Sequence, residues 1–156
     1  MTRVLIWIIG GGAGILIAFS LYVRLVPMDP NQWHVDPIGV QRSGKPNDYL
    51  ISEGGDQPAV VVSTGVAETA AAAFEAIREL PRTTLLAGSV EGGWFTVVSR
   101  SRLMGYPDAT TVRIEPRETG SAVHVYARAR YGYSDLGKNS ERVALFLKAL
   151  EQMLDR

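Results

Sequence analysis

Thr110-Thr111-Val112-Arg113-Ile114-Glu115, Pro116-Arg117-Glu118-Thr119-Gly120 and Ser121-Ala122-Val123-His124-Val125-Tyr126-Ala127-Arg128 together decide the fold. In the outer two segments apolar and polar residues alternate, which is the period of a β-strand with one buried face. Val112, Ile114, Val123, Val125 and Ala127 fall on one face. Thr111, Arg113, Glu115, His124, Tyr126 and Arg128 fall on the other. Both segments alternate in step, and the Pro/Gly linker between them is a turn, so the stretch predicts an antiparallel hairpin.

Working outward, strand-like segments near 83–88 and 92–102 precede strands at 109–115 and 121–131, with Gly, Pro and Asp turns between them. Ala59–Ser63 is a short β-branched strand. Thr64 offers an N-cap to a helix over 66–80, where Val66, Ala70, Phe74, Ile77 and Leu80 recur at helical spacing and Pro81 stops the run. A second helix over 138–155 carries Val143, Leu147, Leu150 and Leu154 as its stripe. Both helices need an apolar surface to cover, and the sheet supplies one. The expected architecture is α+β: an antiparallel sheet of about five strands in the order β-α-β-β-β-β-α, with two helices on one face.

From Val4 to Val23 the chain carries no charge, and Arg3 and Arg24 flank the run. At about 1.5 Å per residue this span matches the hydrocarbon layer, so a single transmembrane helix is expected to precede the domain. Trp7 and Tyr22 would suit the headgroup levels. A cleaved signal peptide fits less well, because its apolar core is usually about 7–15 residues and Ala18-Phe19-Ser20 lies inside the run. Gly10, Gly14 and Ala18 recur every four residues, a spacing that lets helices approach closely and makes a homodimer a candidate. Residues 27–57, rich in Pro and Gly, read as an extended connector lying on the domain. The expected division is 1–26 anchor, 27–57 linker and 58–156 domain. The expected location is the bacterial inner membrane with the domain on the periplasmic side, since a short basic tail before the apolar run is typical of a signal anchor.

The 156 residues leave room for one domain beyond the anchor. Sixteen basic residues balance sixteen acidic ones, which gives nucleic acid no global field to follow. The absence of cysteine excludes disulfides, thiol catalysis and sulfur-ligated metals. No cofactor is indicated. His34 and His124 have no carboxylate at metal-ligand spacing, so no metal site is expected. No serine sits in a nucleophile elbow, and no catalytic residue can be named.

Gly132-Tyr133-Ser134-Asp135-Leu136-Gly137-Lys138 has the spacing of a phosphate loop, but Asn139 replaces the required Ser or Thr and Asp135 would repel phosphate. A broader basic pocket can still be drawn from Arg128, Arg130, Arg142 and Arg102 with Asp108, Asp135 and Asn139, close to the amide end of the last helix, which favours anions. The plainer reading of the same residues is that Asp135 caps the helix, Asn139 ties down the turn, and Asp108, Asp135 and Glu141 pair with the arginines.

Pro46-Asn47-Asp48-Tyr49-Leu50, Ser101-Arg102-Leu103-Met104-Gly105-Tyr106-Pro107-Asp108 and Arg128–Arg142 carry a resemblance, covering about 45–155, to the family called domain of unknown function 1499 (DUF1499). The resemblance implies a compact domain often attached to a bacterial membrane helix, and it brings no reaction, ligand or partner. The chain departs from the family pattern at Ala109 and in lacking a cysteine in the first of these motifs. Three functions follow as expectations. The first is a non-enzymatic envelope module for interaction or assembly, the second a carrier holding a lipid or small anion between sheet and helices, and the third an enzyme using the Arg/Asp cluster.

Overall fold

A computed structural model describes residues 2–155, with side chains at Trp7 and from Ile9 onward. The Arg3 flank and the first residues of the apolar run therefore lie outside the described side chains. Helix α1 (Thr2–Leu25) and a single turn, α2 (Pro30–Trp33), come first, followed by β1 (Asp48–Ile51), β2 (Val60–Val62), α3 (Val66–Arg78), β3 (Thr83–Ser89), β4 (Trp94–Arg100), β5 (Pro107–Pro116), β6 (Ser121–Ala129) and α4 (Lys138–Leu154).

The α+β antiparallel design holds, with six strands in place of five and four helices. Strands run β1-β6-β5-β4-β3 across the sheet, and β2 pairs with β6 beside β1. In the deciding hairpin Val112 faces Val125, Ile114 faces Val123 and Arg113 faces His124, so each residue lies on its expected face. The missed strand, β1, is only four residues long and lies within the breaker-rich connector, where a pattern of period two has no room to show.

Helices α3 and α4 cover the face carrying Phe95, Val97, Val112, Val123 and Val125, and with Ile77, Val143, Phe146 and Leu150 they form one core. Ala70, Ala73 and Ala76 are fully buried, and their small side chains let α3 lie close to the sheet. The helix start differs from expectation. Gly65, not Thr64, is the N-cap, and the Thr64 hydroxyl meets the Thr69 hydroxyl at 2.7 Å instead.

The expected transmembrane helix is corrected. Among the described residues no helix is long and apolar enough to cross a membrane. The physical reason is visible at the end of α1, which is built into the domain. Val23 is fully buried, Ser20 Oγ donates to the Met104 carbonyl, Arg24 donates to the Leu103 carbonyl, and Phe19 packs edge-on against Tyr106. The uncharged run thus gives Phe19, Ser20 and Val23 to protein contacts that a sequence window cannot reveal.

The second face of the sheet is covered as well. The connector after α1 lies across it, placing Trp33 beside Arg128, and His34 against Trp94 at 4.1 Å between ring centres. Polar residues expected to meet water are therefore buried here, His124 and Tyr126 among them.

Candidate functional site

The three sequence motifs converge at the start of α4. Leu136 and Gly137 take left-handed backbone conformations (φ 55° and 78°), which turn the chain sharply into the helix. The Asp135 carboxylate then accepts from the Gly137 and Asn139 amides at 3.1 and 2.7 Å. A capping carboxylate occupies the place an external anion would take at a helix N-terminus. Asn139 has no exposed surface. Its Nδ2 donates to the Asn47 carbonyl at 3.0 Å, and its Oδ1 accepts from Arg142 at 2.9 Å. Arg142 also pairs with Asp108 at 3.0 Å, and Asn47 donates to the Gly132 carbonyl. Burial pushes the Asp108 carboxyl above its ordinary value, and the nearby Arg142 only partly offsets this.

Arg128 and Arg130 do not join this network. Arg128 projects from the second sheet face between Trp33 and Tyr126, 4.8 and 4.9 Å from their ring centres, and donates to the Trp33 carbonyl at 2.8 Å. Burial lowers its affinity for its proton. Arg130 donates to the Pro27 carbonyl at 2.9 Å, just beyond the end of α1. Arg100, in register with Pro107, donates to the Val23 carbonyl at 3.2 Å. Cations beside the last carbonyls of a helix satisfy its unpaired acceptors and its negative dipole end. Arg102 is exposed in the turn after β4. The seven candidate residues therefore occupy three places: Asp108, Asp135, Asn139 and Arg142 at the α4 corner, Arg128 and Arg130 under the connector, and Arg102 in water.

Beside Arg128 and Arg130 lies an open cleft of 560 Å³, walled also by Trp33, Lys45, Asp48 and Tyr133. Asp48 is spoken for: its side chain is almost fully buried, accepts from Arg42, and accepts the Tyr126 hydroxyl at 2.9 Å. The space between sheet and helices, where a carrier would hold its cargo, is filled by Phe95, Phe146 and their neighbours.

A second group escaped the sequence reading. Ser52 Oγ lies 2.9 Å from His124 Nδ1, and Glu115 lies 3.5 Å from the Nε2 of the same ring. That last contact makes no aligned hydrogen bond, since Nε2 stays without a partner, and it is an ion pair only when the ring is protonated. Desolvation lowers the His124 pKa, more than Glu115 raises it. Ser52 is shielded with the ring, and Glu115 is held at 3.0 Å by Arg117, so the trio reads as a tie between β1 and β6. Ser52 belongs to the connector, and no spacing rule links it to a histidine 72 residues later. Among the described residues no group of three His, Cys, Asp or Glu stands close enough to hold a metal ion.

No curated protein matches the chain. Among solved structures it is similar to the crystal structure of protein CV1439 from Chromobacterium violaceum, at 13% identity and a TM-score of 0.36 over 69% of this chain and 95% of that one. The family model described as "Protein of unknown function (DUF1499)" matches residues 27–150, a span that takes in both the connector and all three motifs meeting at α4. The chain therefore belongs to the DUF1499 family.

Proposed function

We propose that the protein is a non-enzymatic interaction module of the cell envelope that presents α1 to an apolar partner protein. The observation that supports this is the exposure of Trp7, Ile9, Ile15, Leu16, Ile17 and Leu21 on a helix whose other end is fastened to the domain. Large apolar side chains gathered on one exposed helix do not remain bare in water, and a surface of this kind marks an interaction site. A helix fixed at one end loses little orientational freedom when it docks, which favours assembly. Gly10 and Gly14 leave open space where a side chain would stand, and Ala18 is exposed one turn on. That strip admits a second helix at short range, and a second copy of this chain is the partner we favour.

The full chain, purified in mild detergent to keep the apolar helix dispersed, tests the proposal by light scattering coupled to size exclusion. We expect a mass above that of one chain. Gly14→Leu should return it to the monomer with the domain's melting temperature unchanged. Recovery of the wild type always alone and always as a monomer would reject the proposal.

A further inference from the structure

We infer that the cleft over the second sheet face is a binding site for a small carboxylate or phosphate that carries a flat ring. Its volume, 560 Å³, is that of a small-molecule site. Three cations, Lys45, Arg128 and Arg130, stand in its wall, and among the described residues none of them pairs with a carboxylate. Asp48, the one acid of the wall, already answers Arg42 and the Tyr126 hydroxyl and reaches Arg128 only through space, leaving three cations to one carboxylate. The wall is therefore positive, while the chain as a whole is neutral.

The donors are not exhausted by their structural bonds. Arg128 uses NH2 on the Trp33 carbonyl, and its NH1 donates to no group among the described residues. An anionic oxygen in the cleft would meet that nitrogen with a charge-assisted bond. Arg130 has only NH1 engaged, on the carbonyls after α1. Lys45, at the exposed rim, is a mobile point charge.

The ring requirement comes from the aromatic lining. Trp33 and Tyr126 already hold the Arg128 guanidinium, and Tyr131 lies 5.3 Å from that of Arg130. Tyr133 is largely exposed at the rim and adds a further flat wall. A planar ligand would extend this stack of rings and guanidinium planes while its anion meets the cations. This site needs no partner on α1, so it stands or falls separately from the proposed assembly.

Phenyl phosphate, inorganic phosphate and phenol, each titrated into the full chain in mild detergent and followed by saturation-transfer NMR, test the site. Phenyl phosphate should bind saturably, and at least about tenfold more tightly than either half alone, a difference of about 1.4 kcal/mol. Lys45→Glu and Tyr133→Ala alter exposed side chains outside the packed core. Each should weaken phenyl phosphate about fivefold or more with an unchanged melting temperature. Arg128→Lys keeps the charge but loses the fork, and should also weaken binding. No saturable binding, equal binding of inorganic phosphate, or binding indifferent to both rim variants would overturn the site.

Discussion

Asn139 shows how much one side chain can carry when it is fully enclosed. Its two amide ends join the turn at Asn47 to Arg142, and Arg142 in turn holds Asp108. Asn139→Ala leaves both partners facing an apolar methyl, so a loss of about 2–3 kcal/mol in chemical denaturation is expected. Arg142→Ala strands the Asp108 carboxylate in a buried place and should cost about 3 kcal/mol. The double variant Asp108→Asn/Arg142→Ala should recover part of that loss, and a fully additive result would show that the pair is not coupled. The cap at Asp135 was legible in the sequence, because its partners lie on the same turn, whereas the tie from Asn139 reaches a carbonyl 92 residues away. The fate of Arg128 was not legible either. Its ring partner Trp33 and its acceptor lie 95 residues away in an irregular segment.

At the scale of elements, α1 and the connector behave as one clasp. Arg24, Arg100 and Arg130 bind carbonyls across the junction between helix and domain. Arg24→Ala should speed hydrogen exchange in the last turns of α1 and at 101–105, while leaving β5 and β6 protected. Gly105 has φ +76°, and an added Cβ would stand 2.5 Å from Arg24 Cγ. Gly105→Ala should therefore release the same contact by steric means and give the same exchange pattern. Unchanged exchange in both variants would mean the clasp contributes little to order. Element types were well read wherever the pattern ran long. The hairpin, α3 and α4 emerged close to their observed bounds. β1 and α2, at four residues each, fall below the length at which period can speak. The membrane reading of α1 failed for another reason: among the described residues the helix is not long and apolar enough to cross a membrane, and the sequence does not show that Val23 and Arg24 are built into the domain.

For the whole molecule, pH dependence follows from two histidines taken out of water. Desolvation holds His124 and His34 below the ordinary value of 6.5. The unfolded chain therefore takes up protons first as pH falls, and folding weakens. The histidine contribution to stability should be level above about pH 6.5, decline as pH drops through the lowered folded-state values, and level off below them. His124→Gln should flatten that decline in denaturant titrations run across the range, and an unaltered slope would remove His124 as its source. The sheet supports this behaviour because it is covered on both faces, by helices on one and by the connector on the other. The sequence laid the connector on the domain without saying which face of the sheet it covers, since a segment rich in Pro and Gly shows no periodicity that would betray its packing.

The order of the strands has one more consequence. One rim of the sheet is made of two short pieces, β1 and β2, laid end to end along β6. The other, β3, is broken by a register shift between Leu85 and Ala87. Neither rim offers a long straight ladder of unpaired amides for a neighbour to continue. Molecules crowded together cannot zip into a shared sheet by this route, which directs any encounter between copies away from backbone pairing and toward side chains.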